Sequence, residues 1–116
     1  MCTSMLLAAA VSVFTVENPK GYNSWPMIGE TGGKLVCAYS KGLKHAIGEG
    51  ERGAYVRTSS DGGRTWGEEV CLANAPDLGE VPIGKGKDAT GAALFWNRCC
   101  GSTSRHDLYR TTDGKA

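Results

Sequence analysis

The chain is predicted to be all-β and internally repeated, on three observations. Its apolar residues fall in short runs of period two, with no sustained i, i+3, i+4, i+7 pattern outside the N-terminal ten residues. Seventeen glycines among 116 residues, about double ordinary usage, stand between those runs as turn punctuation. Two pairs of segments also answer one another. "GGKLVCAYSKG" returns as "GAALFWNRCCG" about 58 positions on, and "GAYVRTSSDGG" returns as "HDLYRTTDGK" 52 positions on. Most of the six-residue difference falls in the connection, where "LKHAIGEGER" is longer than "GSTSR", and loops are where insertions belong. A strand unit recurring every ~40–50 residues is a mark of repeat architecture.

The elements follow in order. The first twenty residues, "MCTSMLLAAAVSVFTVENPK", form an N-terminal segment whose apolar run Met5–Phe14 is too short to span a bilayer. No Lys or Arg precedes it, as one does in a secretory signal, while "VSVFTVE" alternates as a first strand does. Both readings stay open, and the compartment with them. Strands are predicted at 34–40, at 53–58, from Thr65-Trp66 onward, at 92–98 and at 106–111. The formal charge of +1 leaves no basic face for nucleic acid. Five cysteines show no metal-ligand spacing, and adjacent Cys99 and Cys100 point to opposite faces of a strand. They read as incidental thiols; no metal and no cofactor is expected. "GKG" at 84–86 lacks the spacing of a phosphate loop.

"SSDGGRTW" carries the most chemistry. Ser59 and Asp61 are placed to accept backbone N–H bonds just ahead of them. Gly62 and Gly63 supply positive φ, and Thr65 and Trp66 restart a strand behind a large apolar plug. This is a self-stapled hairpin turn, and its carboxylate is structural. The pattern S-x-D-G-G-x-T-W, here Ser59, Asp61, Gly62, Gly63, Thr65 and Trp66, resembles the Asp box of bacterial-type sialidases and related BNR-repeat propellers. Thr111, Asp113 and Gly114 match the first half of a second box.

The resemblance implies a partial β-propeller: about two four-stranded antiparallel blades of a six-bladed sialidase-like ring. Residues 21–80 would form the first blade and 81–116 a second, truncated one. The remaining blades are then expected in a longer parent chain, whose compartment the resemblance leaves open, secreted and cell-surface being among the alternatives. It also implies exo-hydrolysis of terminal sialic acid by a glycoside hydrolase, a neuraminidase, with the isolated piece inactive. The family holds the substrate carboxylate on three arginines, a geometry suited to bidentate bonds, and uses a Tyr–Glu nucleophile with an Asp acid/base.

This chain departs from that pattern. Ser24, two residues before Pro26, stands where the first arginine belongs, and the loop before the first box has no Asp. That loop offers His45, Glu49 and Glu51 as acid/base candidates, beside Arg52. Lys85, Lys87, Asp88 and Arg98 are candidates to line a channel mouth, Arg98 and Arg52 as carboxylate binders. Tyr22 and Trp25 are candidates for a sugar-stacking rim or, alternatively, an edge packing cluster. Tyr39, Tyr55 and Tyr109 read as packing residues, and adjacent His106 and Asp107 cannot face one another as a dyad. The expected partner is a glycan, with no nucleic acid and no membrane span. The rival reading is a non-catalytic BNR propeller that binds carbohydrate or protein.

Overall fold

The computed structural model describes residues 12–17, 20–43, 52–75, 78–102 and 104–114. These residues contain seven strands and no helix: β1 (Tyr22–Thr31), β2 (Lys34–Gly42), β3 (Arg52–Ser59), β4 (Val70–Ala73), β5 (Leu78–Lys87), β6 (Ala93–Gly101) and β7 (Arg105–Thr111). They form one open, mostly antiparallel sheet in the order β1-β2-β3-β5-β6-β7, with β4 on β3. The pairing divides it into two antiparallel meanders, β1 to β4 and β5 to β7. Between them the backbone makes a single parallel bridge, Arg52 with Gly79.

β2, β3, β6 and β7 coincide with predicted strands. β1 and β5 were not expected, because Pro26 and Pro82 interrupt both segments. The structure accommodates each proline at a register shift, between Ser24 and Met27 in β1 and between Pro82 and Gly84 in β5, the places where a strand tolerates proline. Since β5 starts at Leu78, it crosses the 80/81 division drawn from sequence. Residues 12–17 belong to no strand, so the alternating pattern there does not produce one; residues 1–11 lie outside the described residues.

The meanders pack face to face. Val36, Ala38 and Val56 of the first bury against Ala93 and Phe95 of the second, flanked by Met27, Leu72 and Tyr109. Gly29 makes room for the ring, since a Cβ there would lie 3.2 Å from Phe95 Cζ. Beside this seam, Lys85 Nζ donates to Ile28 O at 2.5 Å and Lys87 Nζ to Glu30 Oε2 at 2.6 Å, which ties β5 to β1.

One end of the sheet carries the turns. Asp61 Oδ1 accepts from Ser59 Oγ at 2.8 Å and from Thr65 N at 2.9 Å, and Oδ2 accepts from Thr65 Oγ1 at 2.5 Å. Ser59 Oγ in turn accepts from Gly63 N at 2.9 Å. The clasp therefore reaches four residues ahead and adds the Ser59 and Thr65 hydroxyls to the expected backbone donors. It also corrects the predicted strand start. Thr65 is held by Asp61, Trp66 Nε1 donates to Gly63 O at 3.0 Å and Gly67 N to Thr58 O at 2.9 Å, so the chain stays in the turn and pairs again only from Val70.

The second turn begins alike. Thr111 Oγ1 lies 3.3 Å from Asp113 Oδ1, and Gly62 and Gly114, each following its Asp, have φ of 73° and 75°. Both turns follow the third strand of a meander. Thr31 Oγ1 donates to Gly91 O at 2.9 Å and Lys34 Nζ to Asp113 O at 3.1 Å, while the Thr58 hydroxyl bonds Gly114 O, fastening the two meanders at this end.

The Thr65 hydroxyl and N–H, then the Ser59 hydroxyl, lower the Asp61 carboxyl to about 2. A depressed folded-state pKa means that the stability it contributes is complete above the unfolded value of about 3.9 and is lost as pH falls through about 2. Carboxyl-detected NMR titration is expected to place Asp61 near 2 in the wild type and higher in Thr65→Val, which loses the hydroxyl bond and keeps those from Thr65 N and Ser59; an Asp61 midpoint near 4 in the wild type would remove the clasp.

Candidate functional site

The opposite end of the sheet gathers the residues whose chemistry is not consumed in a turn. β2 ends there at Gly42 and β3 begins there at Arg52. The Arg52 residue is 1% exposed; its Nη1 donates to Ser24 Oγ at 3.0 Å and Ser40 Oγ at 3.3 Å. Its guanidinium carbon lies 5.2 Å from the Tyr22 ring centroid and 5.4 Å from that of Trp25, within cation–π range of both. Burial lowers the Arg52 pKa, with Tyr22 opposing. Both rings remain partly exposed on their outer side. The Tyr22–Trp25 pair is thus a platform backed by a buried cation.

Trp25 holds the platform under backbone strain. Its φ is 52°, which no other non-glycine among the described residues shares in sign, and it precedes Pro26, which restricts it further. Left-handed conformations cost an L-residue about 1–2 kcal/mol, and such strain persists where surrounding structure enforces it. Here the enforcement comes from the β1 register shift and from the ring resting on Arg52.

A buried polar cluster lies beside this platform, across the seam. Glu80, 1% exposed, accepts at Oε2 from Asn97 Nδ2 at 2.5 Å, and its backbone O accepts from Ser40 Oγ at 2.8 Å. Arg105 Nη2 lies 3.6 Å from Glu80 Oε1, and Arg105 Nε is 2.8 Å from Asp107 Oδ2. Asn97 Oδ1 is buried and meets no donor among the described residues. Sequence reasoning missed this cluster; the signal was a lone Glu in "LGEVPIG", a segment whose Gly and Pro concealed the strand.

The predicted site residues separate. Arg52, Tyr22 and Trp25 come together as described, with the guanidinium shielded from solvent rather than presented to it. Arg98 is exposed on β6 near the same end, paired in the ladder with Val81 and His106. Asp88, Lys85 and Lys87 do not join it at a channel mouth: they lie at the turn end. Asp88 Oδ1 accepts from Thr90 N at 2.8 Å, Thr90 Oγ1 at 2.6 Å and Ala92 N at 3.1 Å, and Oδ2 pairs with Arg110 Nε at 2.7 Å. The Thr90 hydroxyl, then Arg110, holds its carboxyl far below the ordinary range. This is a third clasped turn, with its acceptors already engaged. His45, Glu49 and Glu51 lie outside the described residues. His106 and Asp107 face apart as expected: the first accepts from Trp96 Nε1 at 2.9 Å, the second pairs with Arg105.

A second polar network covers the outer face of the first meander. The Tyr39 hydroxyl lies 2.6 Å from Glu69 Oε2 and 3.1 Å from Glu17 Oε2. Arg57 reaches Glu17 through Nη2 at 2.7 Å and Nε at 3.0 Å, and Lys41 pairs with Glu69. Burial, reinforced by Glu69, pushes the Tyr39 phenol far above its usual range, and burial raises the Cys37 thiol to about 11. Neither is poised as a nucleophile. The chain matches no family model, no curated protein and no solved structure.

Strain at Trp25 yields a direct test. Trp25→Gly is expected to be more stable than Trp25→Ala by about 1 kcal/mol in urea unfolding, because only glycine occupies positive φ at no steric cost. Equal stability would mean that the backbone relaxes and the platform is not held under strain.

Proposed function

We propose that the chain is two modules of a sialidase-like Asp-box β-propeller, and that the Tyr22–Trp25–Arg52 end faces a glycan. The observation that carries this reading is the polarity of the fold. The clasped turns after β3 and β7 occupy one end of both meanders, and the aromatic platform over a cation occupies the other. In the family that the Asp box resembles, the boxes lie away from the active site, so the opposite end is where a ligand belongs.

Further support comes from Ser24. The resemblance puts an arginine there; in this chain Arg52 of β3 delivers its guanidinium to the Ser24 hydroxyl instead. The exposed ring faces suit a pyranose, and the cation behind them favours an acidic sugar. Direct pairing of Arg52 with a carboxylate requires the rings to part, so the contact available first is stacking. Binding by the platform is therefore the reading that the geometry favours over catalysis. Hydrolysis of terminal sialic acid is the second reading; it is favoured by the sequence between Gly42 and Arg52, which carries His45, Glu49 and Glu51 and joins two strand ends that both lie at this end of the sheet.

Titration of the chain with N-acetylneuraminic acid is expected to move the Trp25 indole resonance and the amides of Tyr22–Trp25 with Kd about 1 mM, about −4 kcal/mol, and Trp25→Ala is expected to abolish the response. Shifts elsewhere, or none, would overturn the assignment of this end. In the same samples, release of fluorophore from a 4-methylumbelliferyl sialoside that disappears in Glu49→Gln or Glu51→Gln would make the hydrolase reading the better one.

A further inference from the structure

The β2–β3 and β6–β7 pairs can be set in one register by the turns that follow them, and they use the same face differently. Leu35 pairs with Ser59, two residues before Asp61, and Ala93 pairs with Thr111, two before Asp113. With that register, Val36, Ala38 and Val56 correspond to Leu94, Trp96 and Leu108. The first three are 1%, 0% and 5% exposed, sealed against Ala93 and Phe95. Of these counterparts Leu94 is half-buried, while Trp96 is 50% exposed and Leu108 66%. Large apolar side chains gathered on an open sheet face mark an interaction surface.

The receiving face has a counterpart as well. Phe95 and Tyr109, which take the first meander, correspond to Cys37 and Arg57. That face of the first meander is covered by the segment 12–17, held by Glu17 on Arg57 and near Tyr39. Beside it lies an open groove of about 420 Å³ lined by Val16, Glu17, Ile28, Cys37 and Tyr39 among others. The sizes are complementary. Within the chain, small Ala38 meets large Phe95; in the next step of the same packing, large Trp96 would meet small Cys37 and the space above it.

We propose that the occupant of the bare face is a second copy of this chain, docked head to tail by the packing that joins its own two meanders, and that residues 12–17 are a strap that closes the receiving face. This contact is heterologous, so each copy presents one donor face and one receiving face. A closed strap lowers the apparent affinity by the fraction of chains whose receiving face is open. The strap is fastened through the Glu17 carboxylate, whose Oε2 accepts from Arg57 Nε at 3.0 Å, Arg57 Nη2 at 2.7 Å and the Tyr39 hydroxyl at 3.1 Å, so Glu17→Ala removes all three bonds at once. The inference rests on the repeat equivalence and is independent of glycan binding at the other site.

Sedimentation velocity of the full chain over a concentration series tests it. Glu17→Ala is expected to associate about tenfold more tightly than wild type. Trp96→Glu in that background, or Leu108→Lys on the same exposed face, is expected to return it to monomer. Mixing decides the geometry: Glu17→Ala/Trp96→Glu, with an open receiving face and a spoiled donor face, should form a one-to-one complex with wild type, which has the reverse. A back-to-back dimer through Trp96 would give no such complex and would overturn the proposal, as would association of Glu17→Ala that both face variants leave intact, or none at all. Circular dichroism identifies a variant that has failed to fold, and the other face variant then decides. Loss of the sialic acid response alone leaves this result standing, and a failed mixture leaves that response untouched.

Discussion

The two meanders share one parallel bridge of backbone, Arg52 with Gly79, worth on the order of 1 kcal/mol net. What fixes their relative position is the ring of Phe95, buried between them against Val36, Ala38 and Val56. Burying one such ring contributes about 1.5–3 kcal/mol, and emptying its site costs more because a cavity stays behind. Face packing therefore outweighs the bridge. The approach is close enough that Gly29 carries no side chain opposite the ring. Every other inter-meander contact, from Lys85 on Ile28 O to Thr31 on Gly91 O, presupposes that seam.

Once the seam is set, the two ends of the sheet acquire different chemistry. At the turn end Asp61 and Asp88 spend their oxygens on hydroxyls, backbone N–H groups and Arg110. Such carboxylates have little acceptor capacity left for a ligand, and satisfied polar groups of this kind rigidify. The other end breaks local rules: a tryptophan at positive φ, a guanidinium buried under aromatic rings, and an amide oxygen, Asn97 Oδ1, buried without a donor among the described residues. Departures from local consistency concentrate where a fold has something to do beyond folding.

What the sequence showed, and what it concealed, follows from the same physics. The Asp61 turn was legible because its residues act within a few positions of one another, so spacing alone carries the chemistry. β6 was legible because its burial alternates along Ala93–Cys99, β2 as a continuous apolar run buried on both faces, and β3 and β7 from the turn motifs that follow them. β1 and β5 were not, since Pro26 and Pro82 break the period and the bulges that absorb them are visible only with the partner strand in place. Arg52 was legible as a functional cation but not as a buried one: its cover comes from Tyr22 and Trp25, some thirty residues earlier. Glu80 was invisible for a related reason, because its partners Asn97 and Arg105 are brought to it by two further strands. Asp88 misled, since next to Lys85 and Lys87 it reads as part of a charged mouth, while Arg110, which neutralises it, lies 22 positions away.

A repeated unit that packs face on face always leaves a donor face at one end and a receiving face at the other, unless the series closes on itself. Exposed strand edges and apolar faces invite unselected pairing, and proteins blunt them by covering, charging or shortening the edge. The outward faces of the two meanders are treated unequally. The receiving face carries Tyr39, Lys41, Arg57 and Glu69 and lies beneath residues 12–17, whereas the donor face keeps Trp96 and Leu108 open, with Arg98, His106 and Arg110 as its polar side chains. A face kept merely soluble would carry charge at Trp96 and Leu108, where substitution disturbs no core. Large apolar residues at the very repeat positions that are sealed in the first meander make sense if that face, too, is meant to be covered.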